Sequence, residues 1–196
     1  MEGSAVSLDP EYARNYQKDI HLKSGILLRI RSIRPDDKDA IADLFSHLSR
    51  ESIYLRFLLK KKELSNAELS YLTEVDFINH VALVAILPEI DEKEIVGVVR
   101  YIKIKEVAGK TIAEIGLLVI DEYQGKGIGM ALLEHLAGLA RDFGINELEA
   151  CVLKENKRIR YLFNRCGYKV TSEIDGKMLN LTVHLDSLKE RSSKEK

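Results

Sequence analysis

Cysteine is scarce in this chain. Cys151 and Cys166 are the only two, and they form neither a C-x-x-C pair nor a Cys/His spacing suited to a metal. No structural zinc is expected, and reduced thiols in a reducing compartment such as the cytoplasm are the plain reading. Excess charge of one sign is lacking too: 30 Lys and Arg stand against 31 Asp and Glu, a net of −1. That balance argues against a dedicated nucleic-acid binder, which usually carries a basic surplus. The longest unbroken apolar run, residues 81–87, is far too short to span a bilayer, so no membrane partner is expected. Residues 1–10 have no basic start and no apolar stretch, and show no secretory signal. The five histidines are scattered without partner spacing, which leaves a nucleophilic triad unsupported.

What is present fits an ordinary globular protein: 196 residues, 45% apolar and 31% charged, enough for one mid-sized domain. Residues 1–24 are polar and read as an arm or a helix. Asp9-Pro10 suits a helix start, and Tyr12, Tyr16 and Ile20 recur every four residues to about residue 23. Residues 25–186 carry the main domain, and 187–196 a charged, flexible tail.

Alternation predicts a strand at 26–33. Helices follow at 38–48, 50–59 and 65–73, the last opened by the capping box Ser65-Asn66-Ala67-Glu68. From His80 the period changes to that of strands: 81–87, 94–105 and 111–120, with a hairpin turn at Ala108-Gly109-Lys110. A helix at 127–143, a strand at 147–153, a helix at 156–165 and strands at 168–172 and 178–185 complete the order. The sequence implies an α+β fold, a mixed and mostly antiparallel sheet of six to seven strands with helices on both faces.

The most informative segment is the strand that runs into Gln124-Gly125-Lys126-Gly127-Ile128-Gly129 at the start of the long helix. Glycines let backbone N–H groups face inward, and the helix N-terminus adds unsatisfied donors and a positive dipole. Such a loop suits a pyrophosphate, and a merely flexible strand–helix turn is the plainer alternative. It is neither a Walker loop nor a dinucleotide fingerprint.

With these motifs the chain resembles the GNAT superfamily of acyl-CoA-dependent N-acyltransferases. Gln124, Gly127 and Gly129 match the family's Q/R-x-x-G-x-G/A loop, and Asn156 with Gly167-Tyr168 matches its second segment. A narrower likeness lies in Ile33-Arg34-Pro35-Asp36-Asp37, in Leu48-Ser49-Arg50-Glu51-Ser52-Ile53-Tyr54-Leu55-Arg56-Phe57, and in the stretch ending at Val75-Asp76. These resemble the acyltransferase domain of bacterial Pat-type protein lysine acetyltransferases.

The resemblance implies acetyl-CoA as cosubstrate and no metal. It implies that the backbone of Leu117, Leu118 and Val119 pairs with the pantetheine arm. It also implies that Gly125, Lys126, Gly127, Ile128, Gly129 and Met130 hold the pyrophosphate, with Gln124 opening the loop and Asn156 bonding the cofactor arm. The partner it favours is a protein with an acceptor lysine, an acyl-CoA synthetase among the candidates.

Glu114 is the candidate general base. It shares a strand face with Ile112, Gly116 and Leu118, an odd place for a carboxylate without a task. Many GNAT enzymes carry a glutamate at this strand position. Their usual general acid, a tyrosine in the last helix, falls here on Phe163, with Tyr161 two residues earlier. Cys151 is expected to be a small core side chain in mid-strand. Two rivals stand beside the lysine reading: an acetyltransferase of small amines (a polyamine, amino acid or aminoglycoside) and a non-catalytic acyl-CoA sensor.

Overall fold

Caps and turns set most element borders in the computed structural model, which describes residues 9–188. The chain opens with a short helix α1 (Pro10–Arg14), strand β1 (Gln17–His21) and strand β2 (Leu27–Ser32). Three helices follow: α2 (Lys38–Ser46), α3 (Arg50–Phe57) and α4 (Asn66–Thr73). The capping box at Ser65 and Glu68 forms reciprocally, as the spacing predicts. Next come β3 (His80–Leu87), β4 (Asp91–Val107) and β5 (Lys110–Val119), an antiparallel meander. Its second turn is a two-residue loop in which Ala108 and Gly109 both have positive φ, the twist-matched hairpin form. Helix α5 (Ile128–Asp142), strand β6 (Ile145–Leu153), helix α6 (Lys157–Arg165) and the hairpin β7 (Tyr168–Asp175) and β8 (Met178–Leu188) complete it.

The eight strands lie in the order β1-β2-β3-β4-β5-β6-β8-β7. All neighbours are antiparallel except β5 and β6. Leu132 of α5 packs over Gly97 on the back of the sheet, while α2, α3 and α4 cover Val98 and Arg100 on the front. Ile41, Leu44 and Phe45 form the buried stripe of α2, as their spacing predicts. Among the described residues no helix is long and apolar enough to cross a membrane.

The first segment departs from the helix expected through residue 23. Asn15 ends α1 after five residues, and residues 17–21 join the sheet as an eighth strand, one more than the upper expected number. The four-residue stripe is too narrow to hold a helix against the open edge of β2, which offers a full backbone ladder. The bidentate pair from Arg29 to Asp19, 2.8 and 2.9 Å, crosses that ladder. Tyr16 does dock on the main body, its hydroxyl hydrogen-bonded to His135 Nδ1 of α5. At the other end β8 runs to Leu188, and the rest of the expected tail lies outside the described residues.

The turn into α2 is held by a buried ion pair. Arg31 donates twice to Asp37 at 2.7 Å, with both residues under a tenth exposed, and Asp37 also accepts from the Arg34 N–H at 2.8 Å. Asp37→Ala leaves the Arg31 charge buried and unpaired, so a loss of about 3–5 kcal/mol of unfolding free energy is expected. Urea denaturation followed by circular dichroism checks this, and a loss below about 1 kcal/mol contradicts it.

Candidate active site

The glycine loop has two positions that only glycine fills without strain: Gly125 at φ +76° and Gly127 at φ +97°. Gly127 is also the N-cap of α5, so no side chain caps the helix, and the first turn has no acidic residue. The first N–H groups of α5 therefore stay free for an anion. Gly129 answers a packing demand instead, since a Cβ there would stand 3.0 Å from Leu162 Cδ1 of α6. Of the other loop residues, Ile128 is buried and anchors the turn, and Met130 is partly buried. Lys126 is exposed, its ammonium 4.9 Å from the Tyr123 ring centre.

A polar bracket stiffens the loop. The Gln124 amide donates to the Val119 carbonyl at 2.9 Å and to Ser52 Oγ at 3.3 Å, and its oxygen accepts from Arg158. Asp121 accepts from the Ser49 N–H at 3.0 Å and from the Ser49 and Ser52 hydroxyls at 2.8 and 2.9 Å. Burial works to raise the Asp121 pKa, but these hydrogen bonds and the Arg158 charge hold it below the ordinary value. The starts of α3 and α6 are thus tied to one loop. Asn156 caps α6, its Oδ1 accepting from the Ile159 N–H at 3.1 Å.

Beside the loop the sheet opens. Strands β5 and β6 pair only from Thr111 with Ile145 to Glu114 with Glu149, after which β5 has no strand neighbour on that side among the described residues. The Ile120 N–H still donates to Val96 of β4, whereas the Val119 carbonyl faces the other way, toward Gln124. Because successive residues point their backbone groups to alternate edges, Leu118 serves the β4 ladder. Within residues 117–119, the N–H and carbonyl of Leu117 and the N–H of Val119 face the gap, and Leu118 faces β4.

Glu114 sits where the two strands part. It is exposed, and on one side of it lies an open groove of about 560 Å³ over β6, β7 and β8, lined also by Glu149, Cys151, Thr171, Glu173 and Thr182. On the other side, two residues along the same face, Arg56 of α3 lies over Gly116, where a Cβ would collide with the guanidinium. Burial lowers the Arg56 pKa and the nearby Glu114 charge opposes the shift. A cavity of about 40 Å³ begins there, walled by Ile41, Leu44, Phe45, Phe57, Leu117 and Arg100 among others.

Cys151 is a correction: it is exposed and borders the groove, whose described lining comes from strands alone. Phe163 is 1% exposed in the core, and Tyr161 is 64% exposed with Arg165 stacked on its ring, so neither borders groove or cavity. The reading from sequence gave no role to Arg56, Arg100, Arg158 or Glu149. For Arg100 a signal existed, a lone cation in the apolar run from Ile95 to Tyr101. Arg56 follows Ser52 and Ile53 at helical spacing on the buried side of α3.

This arrangement, an uncapped glycine turn beside a strand with free backbone groups, has known relatives. Residues 50–168 match the Acetyltransferase (GNAT) family, and the chain belongs to it. It is 30% identical to the acetyltransferase PA5475 of Pseudomonas aeruginosa over 75% of this chain and 77% of that protein. It is equally 30% identical to the acetyltransferase Pat of Mycolicibacterium smegmatis over 76% of this chain, although the match spans only 43% of Pat. The crystal structure of the GNAT domain of S. lividans PAT superposes with a TM-score of 0.77 at 30% identity, covering 86% of this chain and 96% of that one. The chain is therefore an acetyltransferase of the GNAT type with Pat-like relatives.

The loop's conformation carries a prediction. Gly127→Ala places a Cβ at φ +97°, so about 1–2 kcal/mol of stability should be lost. Acetyl-CoA affinity, read by titration calorimetry on the folded variant, should fall at least tenfold. Unchanged affinity would contradict a role for this turn in holding the donor.

Proposed function

We propose that this chain transfers an acetyl group from acetyl-CoA to the side-chain amine of a protein lysine, with Glu114 as general base. The observation that carries the reading is the position of Glu114, at the fork of β5 and β6 and at the edge of the open groove. The donor's pantetheine arm pairs with Leu117 and with the Val119 N–H, and its pyrophosphate rests on the free N–H groups from Gly125 to Met130. Gln124 acts through the loop, bracing it rather than touching the donor. Asn156 has its Oδ1 engaged in the cap, so its amide N–H₂ is the group left for the cofactor arm.

The chemistry needs a base. A free lysine near pKa 10.4 is neutral about once in a few thousand molecules at pH 7, so removing its proton in place saves roughly 4–5 kcal/mol. The amine nitrogen gives its proton to Glu114 and bonds to the thioester carbon; the C–S bond breaks, and the CoA thiolate takes a proton from water. No side chain need supply that proton, which accords with Phe163 at the place of the family's tyrosine.

The groove is partly open to solvent and bordered by Glu114, Glu173 and Glu149, the last paired with Lys105 at 3.5 Å, a rim that attracts an ammonium; the resemblance to Pat-type acyltransferase domains favours one carried on a protein. The same acidic rim suits a polyamine, and this is the second reading. CoA release detected with a thiol reagent separates them, using an acyl-CoA synthetase, a polyamine and free lysine derivatives as acceptors. Turnover with the protein acceptor, reduced at least tenfold by Glu114→Gln at neutral pH, is the expected result. Turnover only with small amines overturns the lysine assignment, and an undiminished variant overturns Glu114 as base.

A further inference from the structure

The small cavity beside Glu114 is unlike an acetyl pocket in one respect: it contains two guanidinium groups. Arg100 is 5% exposed and, among the described residues, hydrogen-bonds to neutral acceptors alone, the Leu72 carbonyl at 3.1 Å and His80 Nε2 at 3.0 Å. Burial, and then the Arg100 charge, push the His80 pKa down to about 4, so at neutral pH this histidine offers a lone pair and no charge. Arg56 is near enough to Arg100 to disfavour its charge, and among the described residues Arg56 has no hydrogen-bonded partner. Its neighbours are the Phe57 ring, 5.3 Å from its central carbon, and the charge of Glu114. If Glu114 answers one of the two cations, the other is left without an anion among apolar walls, an arrangement that a bound anion would relieve.

The place is built for this. Glycine at 116 is what allows Arg56 to lie on β5 itself, since any Cβ would strike the guanidinium. The cavity also borders Leu117, whose backbone faces the gap between β5 and β6. Its volume of about 40 Å³ is about three times what one water needs, roughly 10–15 Å³, so there is room for a small polar group. Planar guanidinium groups recognise carboxylates by paired hydrogen bonds, which a methyl group cannot return.

We propose that Arg56 and Arg100 form a carboxylate subsite for the far end of a short dicarboxylic acyl group on CoA, of the malonyl or succinyl class. The proposal rests on the donor site assigned above and extends its range of substrates. The transfer is the same step: the amine nitrogen bonds to the thioester carbon, the C–S bond breaks, Glu114 takes the amine proton, and the free carboxylate stays in the cavity, unreacted. The product is an amide that carries a negative charge where the lysine carried a positive one.

The test is equilibrium binding of two non-transferable thioethers, S-(3-carboxypropyl)-CoA and S-butyl-CoA, to the full chain. They differ only in whether the chain ends in a carboxylate or a methyl group. The wild type should bind the first at least tenfold more tightly, Arg56→Met should bring the ratio close to one, and Arg56→Lys should keep part of it. Equal binding in the wild type overturns the subsite, with no variant needed. So does a preference that survives Arg56→Met. If neither thioether nor CoA binds at all, the donor site itself has failed, a result distinct from equal binding.

Discussion

Beyond Glu114, strand β5 keeps its ladder to β4 but loses the one to β6, and the backbone of Leu117 and the N–H of Val119 face a gap. Unpaired strand groups are costly inside a protein unless water or a ligand meets them. The same fork places Glu114 at the edge of the groove, with the cavity over Gly116 two residues further along β5. A sheet closed at this point would offer a continuous ladder and no free backbone edge.

The fork is held open by polar struts that do no chemistry themselves. Asp121 ties the end of β5 to the start of α3, and Gln124 reaches Val119, Ser52 and Arg158. With its donors and acceptor so engaged, Gln124 explains why a glutamine at this place is useful even without touching a phosphate. Helix α3 in turn delivers Arg56 to Gly116. Loop, helix and strand therefore fix one another, and a change in any of them reaches the space beside Glu114.

Where the signal is local, the fold was legible in the sequence. The capping box at Ser65, the turn at Ala108 and Gly109, the apolar stripe of α2 and the glycine loop before α5 all need only neighbouring residues. Strand β1 was not legible, because its stability comes from pairing with β2 and from Asp19 meeting Arg29, partners that periodicity does not see. Cys151 was misplaced for the same reason: alternation tells which residues share a face but not which face a helix covers. Glu114 and the loop stood out by residue type and place. The packing of Arg56 on a glycine sixty residues away in the chain did not.

Amide hydrogen exchange, followed residue by residue with and without CoA, tests the central claim most directly. The account predicts that CoA slows exchange at Leu117, at Val119 and across residues 125–130, while β2 and β3 remain as they were. CoA that binds and slows exchange elsewhere, leaving those amides unchanged, would contradict it.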